Sequence, residues 1–279
     1  MTMCNSHDVD DREALNQDDR RGFLKAGAAV GAGVALAGTT ATANAAAEDY
    51  DDPKEPALPP SDMTLDLSRT ALVVIDPQVD FLSPDGVTWG VVGESVTEHG
   101  TVGNIEKLFV AAKAHKLTTA ISPHYYYPTD HGWKFEGGLE KLMHKIGMFD
   151  RKGPLDLEGF ENSGADWMPE YKQYINDGNT VIVSPHKMYG PETNDLVLQL
   201  RKRGVDQVLL AGMSANLCVE SHFRELQEQG FEVAVIRDAT AAAKLPEGDG
   251  YASAIINFRY MANAVWSTEE VLKNIEDAA

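Results

Sequence analysis

The feature that most restricts this chain is a set of short, uninterrupted apolar runs, clearest at Thr70 to Ile75 and Val208 to Ala211. A strand with no polar face must be covered on both sides, which is the condition of a parallel sheet packed between helices. Similar runs are Leu117 to Ile121, Thr180 to Val183, Phe231 to Ile236 and Ala262 to Trp266. Helical periodicity fills the gaps. Val102 to Lys116 places Ile105, Leu108, Phe109 and Ala112 on one face. Thr193 or Asn194 can cap a helix running to Arg203 with Leu196, Val197 and Leu200 inward. Asn216 to Gln229 is closed by Gly230, Gly250 to Tyr260 reads as helix, and Thr268 is expected to cap a last one. Strands alternating with helices predict an α/β chain, a three-layer α/β/α sandwich with a six-stranded parallel sheet.

Three stretches break this alternation. Arg20-Arg21-Gly22-Phe23-Leu24-Lys25, an Ala/Gly-rich stretch and Ala43-Asn44-Ala45 have the order of a twin-arginine signal peptide over 1–45. Export of a folded protein to a bacterial periplasm is the expectation. Residues 46–66 are acidic and Pro-rich, an extended arm. Within the predicted domain, 67–279, residues 122–179 show no strand–helix alternation, with short helices expected at Leu139 to Ile146 and Glu170 to Ile175. So long an excursion predicts a lid or pocket wall. Residues 87–100 are ambiguous.

Among 279 residues the net charge is −19, which argues against nucleic acid and anionic membrane surfaces as partners. Of two cysteines, Cys4 lies in the leader, so the remaining chain would hold Cys218 alone. Cys218 follows the Val208–Ala211 strand, the break at Gly212, and Ser214 or Asn216 as helix caps. A thiol in the first turn of a helix meets free N–H groups and the positive end of the helix dipole, which favour a thiolate and can hold an oxyanion. A small buried core cysteine is the other reading. Asp76 and Lys187 each follow another predicted strand, and strand tips on one sheet edge converge. Asp76 has the alternative of a turn cap, and Lys187 that of a solvated loop lysine. A carboxylate beside a thiol can take its proton, and an ammonium stabilises the anions. Ser-Pro-His occurs at both 122–124 and 184–186, the sole internal echo.

Asp76-x-Gln78-x-Asp80-Phe81, Lys187-x-Tyr189-Gly190 with Thr193 and Leu196, and Ala211-Gly212 followed by Cys218-Val219 resemble the isochorismatase-like cysteine hydrolases. Nicotinamidases, N-carbamoylsarcosine amidase and ureidoacrylate amidohydrolase belong to that group. The resemblance runs from about Arg69 to Trp266 and implies a Rossmann-like six-stranded sheet. It implies a catalytic triad of Asp76, Lys187 and Cys218, backbone oxyanion donors at Leu217 and Cys218, and a cis peptide at Met213-Ser214. It also implies frequent homo-oligomers. Nicotinamidases carry Asp-x-His where this chain reads Ser122-Pro123-His124, so the first metal ligand is missing. No cofactor is expected, with His124, Asp130 and His131 as the alternative metal set. Phe81, His124, Tyr125, Trp133 and Tyr189 are the expected substrate pocket.

The leading expectation is cysteine-dependent hydrolysis of a C–N bond in a small amide or ureido compound through a thioester. Two alternatives remain at this point. One is vinyl-ether hydrolysis of an isochorismate-like substrate, for which the acid would suffice. The other is a non-catalytic periplasmic binding or assembly protein on the same scaffold.

Overall fold

The computed structural model describes residues 53–279. The expected signal peptide and the first part of the acidic arm lie outside the described residues. In chain order the elements are β1 (Thr70–Ile75), α1 (Val79–Leu82), α2 (Trp89–Glu98), α3 (Thr101–Ala114) and β2 (Thr118–Ser122). Then come α4 (Gly138–Ile146), α5 (Lys172–Ile175), β3 (Val181–Ile182), α6 (Leu196–Lys202) and β4 (Gln207–Met213). A π-helical turn (Ala215–Val219) leads into α7 (Glu220–Glu228) and β5 (Glu232–Ala241). A small antiparallel hairpin of β6 (Lys244–Leu245) and β7 (Gly248–Asp249) precedes α8 (Gly250–Met261), β8 (Ala264–Trp266) and α9 (Thr268–Asp277).

Six strands form one sheet in the order β3-β2-β1-β4-β5-β8, every pairing parallel. Alternate residues of β1 feed separate cores. Leu72 and Val74 pack with Ile105, Leu108 and Phe109 of α3 and Val271 and Ile275 of α9. Ala71, Val73 and Ile75 pack with Leu196 and Leu200 of α6, Phe223 and Leu226 of α7 and Phe258 of α8. Burial of each large apolar side chain is worth roughly 1.5–3 kcal/mol, so the two helical layers hold the sheet from both sides.

Three local expectations are corrected. The ambiguous stretch before α3 is helix α2, where Gly93 leaves room for the Trp89 ring; a Cβ there would sit 2.5 Å from Trp89 Cε2. The fifth strand does not end before Arg237. It shifts register between Leu210 and Gly212 and resumes with Thr240 and Ala241 paired to Gly212 and Met213. Arg237 and Asp238 sit at that irregularity, free to reach Glu270 and Thr268 at the start of α9. Ser267, not Thr268, caps α9: its side chain accepts from Glu270 N, and Glu270 reaches back to the Ser267 N–H.

The chain passes from β1 to β2 and β3 on one side, then returns to lay β4 against the other flank of β1. This reversal opens a crevice at the carboxyl ends of β1 and β4, the position where open α/β sheets bind ligands. Residues 122–179 start at the last residue of β2 and include α4 and α5.

Candidate active site

Register sets the first distances. Ile75 pairs with both Ser122 of β2 and Gly212 of β4, so those three strand ends are level. Gly212 is required there. Its φ is 114°, and a Cβ would lie 2.0 Å from the Ile75 carbonyl oxygen. One residue beyond Ile75, Asp76 adopts a φ of 48°, left-handed backbone that is costly for a residue with a side chain. Its N–H donates to the Ser122 carbonyl at 3.0 Å, and its side chain is fully buried.

The two Ser-Pro-His copies land at adjacent strand ends. His124 beyond β2 and His186 beyond β3 form an isolated parallel bridge, with ring centroids 4.6 Å apart. His186 Nε2 lies 2.8 Å from Asp76 Oδ1, and its Nδ1 lies 2.7 Å from the Met188 carbonyl. A carbonyl only accepts, so Nδ1 carries a proton. A second proton must then lie between His186 Nε2 and Asp76 Oδ1. Burial pushes the Asp76 carboxyl up, and the His186 charge opposes that shift.

Cys218 sits in the π turn after β4, buried. Its sulfur and ligand-capable atoms of Asp76, His124 and His186 all lie within 4.8 Å of one another. Burial pushes the Cys218 thiol well above its ordinary range, and the Asp76 charge adds to the shift. The backbone N–H groups of Ser214 and Cys218 act on the sulfur in the opposite sense, as donors toward it. Met213-Ser214 is a cis peptide.

Other groups hold these in place. The Gln78 amide grips the backbone of His124 from both sides: Oε1 accepts from His124 N at 3.0 Å, and Nε2 donates to His124 O at 3.0 Å. His222, one helical turn beyond Cys218, stands with Nδ1 2.7 Å from the Cys218 carbonyl and Nε2 2.8 Å from Ser122 Oγ. Asn194 Nδ2 donates to the same hydroxyl at 2.9 Å. Ser122 therefore donates to His222 Nε2 and His222 donates to Cys218, a chain that requires a neutral imidazole. Burial holds His222 well below the usual imidazole range, in keeping with that.

The expected site residues divide. Asp76 and Cys218 meet. Lys187 does not join them. Its ammonium donates to Asp130 Oδ2 at 2.6 Å and to the Tyr125 carbonyl at 2.7 Å, over the Tyr127 ring at 3.5 Å. The position beside Asp76 belongs to the preceding residue, His186. The Leu217 N–H is occupied by the Ser214 carbonyl at 3.0 Å, which leaves Ser214 and Cys218 as the donors near the sulfur. The set of His124, Asp130 and His131 is not assembled, because Asp130 pairs with Lys187 and His131 Nε2 lies 2.7 Å from Asp150. Among the expected pocket residues, His124 reaches the site, and Tyr189 stands beside it with its hydroxyl 3.4 Å from Glu140 Oε1. Phe81 and Tyr125 are core residues, against Phe149 at 5.2 Å and Trp167 at 6.1 Å. Trp133 packs on Tyr126, and Tyr126 rather than Tyr125 stacks edge-on to His124 at 4.6 Å. Sequence reasoning missed His186, His222 and Asn194. The repeated Ser-Pro-His and the i, i+4 spacing of Cys218 and His222 were the available signals.

An isochorismatase domain profile matches residues 70–270. The chain belongs to the isochorismatase family. It is 25% identical over 218 residues to ureidoacrylate amidohydrolase RutB of Variovorax paradoxus, covering 72% of this chain and 82% of that protein. A shorter match, 42% over 79 residues, is to the isochorismatase family protein YecD of Escherichia coli O157:H7, covering 28% of this chain and 40% of that one. The fold is similar to a cysteine hydrolase from Pseudomonas syringae pv. phaseolicola, with TM-score 0.65, 23% identity and coverage of 80% and 100%. It is also similar to N-carbamoylsarcosine amidase from Thermoplasma acidophilum, with TM-score 0.53, 19% identity and coverage of 71% and 95%. This isochorismatase-family hydrolase thus shares the fold of these proteins and sets a histidine beside its buried aspartate.

Proposed function

We propose that this hydrolase cleaves a C–N bond in a small amide or ureido compound, with Cys218 as nucleophile. The observation that carries the reading is the buried apposition of the Cys218 sulfur and the Asp76 carboxylate at the β1/β4 switch point. Resting Cys218 is a thiol. As a substrate carbonyl approaches, Asp76 takes the S–H proton and sulfur forms the C–S bond. The Ser214 and Cys218 N–H groups receive the oxyanion. Asp76 returns the proton to the departing nitrogen, and water then cleaves the thioester. His186 orients the carboxylate and, when protonated on both nitrogens, supplies the positive charge assigned at first to Lys187. Ureidoacrylate amidohydrolase and N-carbamoylsarcosine amidase among the similar proteins support an amide or ureido substrate.

The test is ammonia release from a panel of small amides and ureido acids by the full chain, Cys218→Ala and Asp76→Asn. Release that requires both residues supports the reading. Release that persists in Cys218→Ala refutes the thioester route and favours acid catalysis by Asp76 alone. We further propose export through the twin-arginine leader with cleavage before Ala46, and self-association into a homo-oligomer. N-terminal sequencing of protein from a periplasmic fraction and sedimentation velocity test these two statements.

A further inference from the structure

Two buried polar atoms at the site have no hydrogen-bond partner: Asp76 Oδ2 and His124 Nε2. Such atoms are rare in folded proteins, because each forfeits its hydration without a replacement. They belong to a group of four whose ligand atoms lie within 4.8 Å of one another, Asp76, His124, His186 and Cys218.

The tautomers are arranged as for a metal. His186 commits Nδ1–H to the Met188 carbonyl, and His124 Nε2 is buried without a partner. His186 therefore presents Nε2 to the site with the opposite nitrogen tied to main chain, the outer arrangement that orients metal-binding histidines. The Gln78 amide fixes the His124 backbone on both sides. One thiol, two imidazoles and one carboxylate match the preferences of a borderline thiophilic divalent ion. Zinc–ligand lengths of about 2.0–2.3 Å put donor–donor edges at about 3.3–3.6 Å in a tetrahedron. A span of 4.8 Å reaches that by a contraction of about 1.2–1.5 Å.

We propose that Asp76, His124, His186 and Cys218 form a tetrahedral Zn²⁺ site, and that zinc there reversibly blocks the nucleophile. Binding forms bonds from the metal to Sγ, to the two Nε2 atoms and to an Asp76 oxygen. Two protons leave to solvent, one from the thiol and one from between His186 and Asp76. The sulfur pair that would attack a carbonyl is then engaged. The site stands apart from the amide reading, since binding is read without turnover.

Co²⁺ added to reduced, metal-free full-length protein is expected to bind at one equivalent, with tetrahedral d–d bands and a sulfur-to-cobalt charge-transfer band. Zn²⁺ displaces it. Cys218→Ser loses the charge-transfer band, and Cys4→Ser keeps it. His124→Gln weakens Co²⁺ binding at least about tenfold, while Asp130→Asn binds as wild type does; thermal melts establish that each variant folds. No charge-transfer band, or a band that survives in Cys218→Ser, overturns the site. Equal affinity in His124→Gln overturns the assignment of His124. On any substrate found, Zn²⁺ is expected to stop hydrolysis and a chelator to restore it. Full turnover in a zinc-saturated sample overturns the blocking role and leaves the amide reading standing.

Discussion

His186 Nε2 stands 2.8 Å from Asp76 Oδ1 with both side chains fully buried, while the adjacent Lys187 turns to Asp130 on the 122–179 segment. A one-residue offset thus separates the group that serves the carboxylate from the group that ties down the covering loop.

The two neighbours should part company on mutation. His186→Ala is expected to lower turnover by about 10²-fold or more, because Asp76 loses its orienting partner and its counter-charge. His186→Lys should recover part of that loss if charge is what matters. Lys187→Ala instead removes a charge-assisted bond, worth about 1.5–3 kcal/mol, and lowers stability more than turnover. Steady-state kinetics beside urea unfolding separates the two; the reverse pattern would return the role to Lys187.

Cys218 is raised well above the ordinary thiol range by burial and by Asp76. Alkylation of resting enzyme by iodoacetamide should be slower at pH 7 than that of a free cysteine thiol, rising steadily with pH. Asp76→Asn removes the repelling charge and should shift that rise to lower pH while abolishing hydrolysis. Peptide mass mapping distinguishes Cys218 from Cys4. An unmoved profile in the variant would show that Asp76 does not act on the thiol.

His124 and His222 are both held well below the usual imidazole range, by burial first. Unfolded, each titrates near about 6.5. Above that pH neither contributes a slope. Below it the unfolded chain takes up protons that the folded chain refuses, so stability falls as pH drops toward the depressed folded values. Each site contributes up to about 1.4 kcal/mol per pH unit. The raised Asp76 carboxyl has the opposite sign: its stability contribution is complete below about pH 3.9 and is lost as pH rises through the folded value. Urea unfolding from pH 7.5 to 5 should show the acid-side loss, reduced by about one proton in His222→Gln. A slope unchanged in that variant would contradict a neutral buried His222.

Gly212→Ala is expected to destabilise the chain by more than about 3 kcal/mol or prevent folding, since the added Cβ meets the Ile75 carbonyl at 2.0 Å in a left-handed backbone. The measurement is the urea midpoint. A near-wild-type midpoint would mean that β1 and β4 tolerate separation at the site.

The apolar runs determined that the chain forms a parallel sheet between helices, because a strand without a polar face has no other stable surroundings. The strand tips likewise pointed to Asp76 and Cys218, since position after a parallel strand is a local property of the chain. The partner of Asp76 was not a local matter. His186 and Lys187 are neighbours, and which one faces inward depends on the short β3, its bridge to His124 and the Asp130 carboxylate waiting across the loop. The same holds for the N–H groups around Cys218: the π turn spends that of Leu217 on Ser214 and leaves others toward the sulfur. Within residues 122–179 the sequence marks helices at Leu139 to Ile146 and Glu170 to Ile175, which form as α4 and α5, but the connecting loops carry no period and their fold was illegible. Its order comes from contacts far apart in sequence, such as Gln78 with His124 and Ala165, which only the folded chain brings within hydrogen-bonding reach.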